Sequence, residues 1–318
     1  MLHSPIYVTE ADVARLVTIG DTIAVLKEAF ATWGDKGTTN LPRQRAPLAA
    51  GNFHLMGASY EAKGVYGAKA YFGGKSGARY HTFLYAVDGG TLLAIIESDL
   101  FGQLRTGAAS GLATELLANP AARTLGIIGT GKQARTQALA ICAVRPIATV
   151  RVFGRNGERR RDFAKALETE LKIETLAAGT AQACVEGADV VATITKSAEP
   201  VCHAEWLADG VHVNVAGANT ASRREVDAAT VLRAAVRVTD DRKQAREEAA
   251  EFRDLAGAGH LSWDDVLDLG ELVTGKVAGR GSPSEVTLFK SLGIGLEDVA
   301  LAELVYRRAR EAGAGRNI

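Results

Sequence analysis

The chain has 318 residues, 47% apolar and 23% charged, with 37 Lys and Arg balancing 37 Asp and Glu. That length exceeds what one hydrophobic core readily fills, so two domains are expected, and the composition excludes a disordered, fibrous or low-complexity protein. Zero formal net charge leaves no electrostatic footprint for nucleic acid or an anionic membrane. No apolar run approaches the roughly 18 residues of a spanning helix. Met1 to Tyr7 lacks the basic flank and apolar core of an export signal, so the expectation is a cytoplasmic protein. Three cysteines, Cys142, Cys184 and Cys202, carry no CxxC or Cys/His spacing and read as small apolar fillers, with neither a disulfide framework nor a metal site expected.

In chain order, Val13, Leu16, Val17, Ile23, Leu26 and Phe30 predict two helical pieces between Thr9 and Trp33, broken near Gly20, with Thr9 and Asp12 as a capping box. Short strands follow around 43–48, 52–56, 67–72, 80–87 and 91–98, the last two joined by Asp88-Gly89-Gly90 as a hairpin turn. A small-residue helix spans 99–117 and Asn119-Pro120 ends it. Strands at 124–129, 149–153, 173–176, 189–193, 212–215 and 236–239 then alternate with helices, the pattern of a doubly wound parallel sheet. A last amphipathic helix, 297–311, is expected to return to the first domain. The fold class is therefore α/β: a Rossmann-type domain, 120–295, and a smaller α+β domain, 1–119 with 296–318.

Gly129-Thr130-Gly131-Lys132-Gln133-Ala134 ends a strand and opens a helix, in the G-x-G-x-x-A form that binds a dinucleotide pyrophosphate. Alone, the motif is equally a glycine turn before an ordinary helix; the strand that follows at βαβ spacing favours the dinucleotide. That second strand ends in Phe153-Gly154-Arg155-Asn156, without the carboxylate an NAD-specific site places on the ribose. Arg155 stands where it would pair with a 2′-phosphate, which predicts NADP(H) over NAD(H). Arg159, Arg160 and Arg161 read mainly as a solvated helix face. So does the acidic stretch from Arg246 to Asp254.

Together with Leu104-Arg105-Thr106-Gly-Ala-Ala-Ser110 and Thr287-Leu-Phe-Lys290-Ser291-Leu-Gly293, the glycine loop resembles the ornithine cyclodeaminase/μ-crystallin family across essentially the whole chain. The resemblance implies a homodimer with an N-terminal sheet domain for substrate and dimerisation and a Rossmann domain for NAD(H) or NADP(H), acting on an amino acid and its imine. It places Arg43, with Arg45 on the same strand face, Lys69 and Arg105 around a substrate carboxylate. It also implies cofactor contacts from Thr82, Arg105, Thr106, Gly129, Thr130, Gly131, Lys132, Gln133, Gly154, Arg155, Asn156, Thr195, Val215, Gly217, Arg223 and Ser291, and substrate contacts from His54, Asn219 and Leu292. Lys69, its pKa depressed by Arg43 and Arg105, is the candidate acid for C=N reduction.

Two departures turn the reading from the family's namesake. Asn219 stands where ornithine cyclodeaminases carry an aspartate, and His54 precedes Leu55-Met56 where they carry an acid for the distal ammonium. His54 is open to two readings, a substrate contact or a half-buried strand residue satisfied by backbone; His81 either faces the nicotinamide or is structural, the structural reading being favoured. The expectation is an NADP(H)-preferring reductase of a 2-imino acid or cyclic ketimine, or an enzyme that reductively aminates a small 2-keto acid. The alternatives are an ornithine cyclodeaminase-like deaminase and a cofactor-binding protein with little turnover.

Overall fold

The computed structural model describes residues 4–74 and 77–318. Of the opening stretch read for an export signal, Met1, Leu2 and His3 lie outside the described residues. The first part of the chain forms β1 (Ile6–Val8), α1 (Glu10–Leu16), α2 (Ile19–Ala31), β2 (Thr38–Leu48), β3 (Gly51–Tyr60), β4 (Val65–Gly74), β5 (Gly77–Ala86), β6 (Leu92–Glu97) and α3 (Asp99–Leu117). The alternating part runs β7 (Thr124–Ile128), α4 (Lys132–Val144), β8 (Thr149–Phe153), α5 (Gly157–Leu171), β9 (Glu174–Ala177), α6 (Ala181–Val185), β10 (Val190–Thr193) and β11 (His212–Val215). It continues with α7 (Ala228–Arg233), β12 (Val236–Thr239), α8 (Arg242–Glu248), α9 (Ala250–Gly257), β13 (Val266–Asp268), α10 (Leu269–Val273) and β14 (Thr287–Lys290), before α11 (Gly295–Ala312) and β15 (Arg316–Asn317).

Two compact units result: Met1–Arg105 with Gly293–Ile318, and Thr106–Leu292. The division falls inside α3, upstream of Asn119-Pro120. The later turns of α3 already belong to the second unit, where Gln137 Nε2 donates to Thr106 O at 3.3 Å and Asn214 Nδ2 to Thr114 Oγ1 at 3.0 Å. Among the described residues no helix is long and apolar enough to cross a membrane. Cys184 and Cys202 are buried and Cys142 half-buried, and burial pushes all three thiols up to about 12, which keeps them protonated.

In the first unit the helical break lies at Val17-Thr18, not Gly20. Thr18 opens a second capping box, its N donating to Asp21 Oδ2 at 2.9 Å and its Oγ1 accepting from Asp21 N at 3.2 Å, and Gly20 is absorbed into the first turn of α2. The sheet runs β15-β1-β6-β5-β4-β3-β2, antiparallel except for β1 beside β6. Strands β2 to β5 are longer than the pattern predicts, β6 is shorter than the expected 91–98, and β1 and β15 are additions: three and two residues are too few to show a period. One face, including Met56, Ala58, Leu84, Ala94 and Ile96, packs under α11. The other is open, and Leu41 (58% exposed), Phe53 (40%) and Leu55 (41%) lie on it.

A bulge sorts the chemistry between those faces. Leu41 pairs with Gly57 and Gln44 with Leu55, so Pro42 and Arg43 together oppose Met56. Pro42, with no N–H to give a ladder, is tolerated there. The extra residue shifts the alternation by one and brings Arg43 and Arg45 to the side of His54 and Met56.

In the second unit an all-parallel sheet has the order β13-β12-β14-β11-β10-β7-β8-β9. The chain leaves β7 to one side through β8 and β9, then resumes on the other at β10, so the strand order reverses between β7 and β10. Alternate residues of β10 enter different apolar clusters, Val190 and Ala192 one and Val191 the other, so both faces are covered. Strands β13 and β14, of three and four residues, were not foreseen; β14 is the Thr287-Leu-Phe-Lys290 segment.

Candidate active site

On the buried face of the first unit's sheet, strand register lines up the predicted cations. Lys69 stands opposite Met56 on one side and Thr82 on the other, while Arg45, opposite His54, is exposed at the margin of that face. Arg43 and Lys69 are each 3% exposed and Arg105 is buried at the end of α3's first turns. Arg43 donates through its guanidinium to Gly293 O at 2.8 Å and through Nε to Met56 Sδ at 3.3 Å. Lys69 Nζ donates to Asp298 Oδ1 at 3.1 Å, Arg105 Nε to the same oxygen at 3.1 Å, and Arg105 to Glu297 Oε2 at 3.1 Å. Gly293 has φ +72, and a side chain there would run into the Arg105 guanidinium, so only glycine admits the chain between Arg43 and Arg105.

Neither Glu297 nor Asp298 was foreseen. Both are fully buried, in the first turn of α11, and Asp298 Oδ2 is buried without a hydrogen-bond partner. Three cations and two carboxylates make these five named groups positive by one formal charge (3 − 2). Lys69 is pushed down to about 8, first by burial, against the pull of Asp298, with Arg105 and Arg43 contributing less. The sequence reading gave the arginines the leading part; desolvation takes it, because the ammonium lies in an almost dry site.

Around this cluster the wall is aromatic. His54 stacks on Tyr71 at 4.3 Å and 3°, Tyr71 leans on Tyr80 at 5.1 Å, and Lys69 Nζ sits 5.5 Å over the Tyr80 ring. Burial, then Arg45 and Arg43, pushes His54 down to about 4, so it is neutral. Its Nδ1 is buried with no partner, which removes the backbone-satisfied reading of that nitrogen. Thr82 is buried and shares a 2.8 Å hydrogen bond with Ser98 Oγ; His81 pairs with Glu97 across β5 and β6, its ring 6.5 Å from Tyr7.

The second unit gathers most of the predicted cofactor residues at the carboxyl ends of its parallel strands. Gly129 has φ +132 and its missing Cβ would meet Ile194 O at 2.4 Å, so the turn after β7 closes tightly on the end of β10. Gly131 is the N-cap of α4 without a side-chain cap, and nothing lies within 4 Å of where its Cβ would be. An open cradle at a helix N-terminus fits a pyrophosphate. Thr130 is half-buried there, with Lys132 and Gln133 exposed in the first turn of α4 and Thr106 buried. Thr195 lies beyond β10; Val215 ends β11, with Gly217 and the half-buried Asn219 in the loop after it; Ser291 and Leu292 follow β14, where Ser291 N donates to Val215 O and Leu292 N to Asp240 Oδ2. Ser291 Oγ is buried without a partner, and Arg223 is exposed.

At the end of β8, Arg155 is exposed and Asn156 caps α5, its Oδ1 accepting from Arg159 N at 2.9 Å. Two of the arginines read as a solvated face are engaged: Arg159 Nε donates to Thr130 O at 3.2 Å, and Arg160 donates to Gly154 O at 3.1 Å and lies 5.3 Å over Phe153. The turn's own carbonyls and an aromatic ring claim them. The 246–254 stretch is likewise not all solvated, since Glu248, Glu251 and Phe252 are buried. Glu251 accepts from Lys290 Nζ at 3.2 Å, a partner 39 positions on that local charge pattern does not reveal.

A family model described as the ornithine cyclodeaminase/mu-crystallin family matches residues 4–313. A Delta(1)-pyrroline-2-carboxylate reductase of Bacillus cereus (strain ATCC 10987 / NRS 248) is 35% identical over 230 residues, 72% of this chain and 70% of that protein. Among solved structures, Thermococcus litoralis Delta(1)-pyrroline-2-carboxylate reductase in complex with NADH and L-proline matches with a TM-score of 0.94 at 28% identity, covering 98% of this chain and 100% of that one. An archaeal alanine dehydrogenase dimer with bound NAD matches with a TM-score of 0.92 at 27% identity, covering 99% of each chain.

Proposed function

The chain belongs to the ornithine cyclodeaminase/mu-crystallin family and is a nicotinamide-dependent oxidoreductase acting on CH–NH or CH–NH2 groups, and we propose that it reduces the C=N bond of a small 2-imino acid or cyclic ketimine, with NADPH preferred over NADH. Reductive amination of a small 2-keto acid is the same chemistry entered one step earlier. The observation that carries this reading is a buried lysine and a buried arginine sharing one carboxylate oxygen on a face that also holds Arg43.

In this reading Arg43 and Arg105 hold the substrate carboxylate, a ligand suited to a cluster whose named groups sum to one positive charge. Lys69 gives a proton to the imine nitrogen as hydride reaches the adjacent carbon, so the C=N π pair becomes the N–H bond and the new C–H bond comes from the hydride. The reduced dinucleotide supplies that hydride. A lysine near pKa 8 is mostly protonated at neutral pH yet releases its proton more readily than an ordinary one. The wall of Tyr71, Tyr80 and neutral His54 offers no counter-charge to a second ammonium, which favours an uncharged or cyclic substrate side chain over ornithine.

The glycine loop and the α4 N-terminus take the pyrophosphate, and Arg155 takes the 2′-phosphate. The protein acts in the cytoplasm as a homodimer. The open sheet face with Leu41, Phe53 and Leu55 is the surface on which a second copy packs, an apolar patch that costs solubility if left in water.

A screen of NADPH and NADH oxidation with pyrroline-2-carboxylate, piperideine-2-carboxylate, iminosuccinate precursors and pyruvate plus ammonia tests the reading. Turnover of at least one imine, with no proline formed from ornithine and NAD⁺, is expected. Dinucleotide binding with no turnover of any imine, or efficient proline formation from ornithine, overturns it.

A further inference from the structure

Three buried ionisable groups of the second unit have no part in the chemistry above. Glu225 is fully buried; its Oε1 accepts from Thr195 N and its Oε2 from Gly217 N, each at 2.6 Å. Burial pushes its pKa up, against the hydrogen bonds and Lys290. Glu225 N donates to Glu251 Oε1 at 3.1 Å, and Lys290 Nζ donates to that oxygen at 3.2 Å and to Ala218 O at 2.7 Å. One carboxylate therefore ties the loop after β10 to the loop after β11, while Lys290 holds the second loop by its next carbonyl. The loops meet so closely that a Cβ on Gly217 would lie 2.2 Å from Thr195 N.

A buried carboxylate is costly unless its lone pairs are used, and here both oxygens are spent on two backbone amides that belong to no strand ladder. We propose that Glu225 is a positioning residue for the nicotinamide half of the cofactor, with Lys290 and Glu251 as its brace. The proposal rests on reading the second unit as the dinucleotide-binding one. In a doubly wound sheet the two halves of a dinucleotide lie over the two halves of the sheet. The glycine loop and Arg155 belong to the β7–β9 half; the loops clasped by Glu225 belong to the other. Losing the clasp should therefore loosen the grip on one end of the cofactor only.

Glu225→Gln keeps the size but offers one acceptor oxygen and an NH2, so one of the two amides loses its partner. Its affinity for NADPH is compared with its affinity for 2′-phospho-ADP-ribose, which lacks the nicotinamide, alongside hydrogen exchange at 194–197 and 216–219. The expected result is NADPH weakened about tenfold or more, the fragment held within about twofold, and faster exchange in both segments. Equal weakening of both ligands, or none, overturns the proposal. If the unmutated protein binds neither ligand, the dinucleotide reading itself fails first and takes the proposal with it. Should the Gln variant not fold, Glu225→Asp, which keeps the charge but shortens the reach, carries the same comparison.

Discussion

Lys69 and Arg105 converge on a single oxygen, Oδ1 of Asp298, each at 3.1 Å. If Lys69 is the acid and Arg105 a carboxylate holder, as proposed above, the two depend on the same counter-charge.

Lys69→Met retains the apolar stem and removes the ammonium. Dinucleotide affinity is expected to survive, while kcat for imine reduction falls by about 10²- to 10⁴-fold. Arg43→Met should chiefly raise KM. Steady-state kinetics on the best imine from the screen separates the two, and a parent-like kcat in Lys69→Met removes the lysine from the chemistry.

The pH dependence has a definite sign. Lys69 is held near 8, below an ordinary lysine, so the protonated acid is present below that pH and lost above it. The rate of reduction under saturating cofactor should fall as pH rises through about 8. Asp298 raises the Lys69 pKa, so Asp298→Asn should move that limb to lower pH. It should also destabilise the fold by about 3–5 kcal/mol, since two buried cations lose their shared partner. Urea denaturation and a pH–rate profile check both; an unmoved limb would show that the Lys69–Asp298 contact is electrostatically idle.

Arg155→Ala should weaken NADPH by roughly tenfold or more and leave NADH unchanged, because a guanidinium–phosphate pair is lost only with the phosphorylated cofactor. Arg160→Ala, which frees Gly154 O and uncovers Phe153, should weaken both cofactors alike by disturbing the turn. Titrations of parent and both variants with each cofactor, six pairings, distinguish them, and indifference of the parent to the 2′-phosphate would defeat the assignment.

If the open sheet face joins two copies, Phe53→Asp with Leu55→Glu should convert the protein to a monomer, seen as a halved mass in sedimentation or light scattering. An unchanged mass would locate the interface elsewhere.

Sequence pattern carries far where the signal is local. Thr9 with Asp12, the 99–117 helix and the strand–loop–helix around Gly129 all follow from neighbours in the chain, and Lys69 stands out because glycines and alanines surround it. The pattern fails where meaning depends on a distant partner. Glu297 and Asp298 look like the solvated start of an amphipathic helix until a helix 190-odd positions away supplies Arg105. Glu225 has no local mark either, since its ligands are the backbone of two loops. His54 is legible as a departure, yet its neutrality comes first from burial and then from Arg45 across the ladder, neither written in its own strand.

The Pro42–Arg43 bulge makes one extra residue a hinge of identity for the whole early strand. Were β2 to pair straight through, with the same residues and no bulge, every side chain after Pro42 would change sides, sending Arg43 and Arg45 outward and Leu48 inward, so the sorting of cations from apolar groups rests on two residues sharing one place in the ladder. A strand with two such different faces is a message read in steps of two, and here its punctuation mark is a proline.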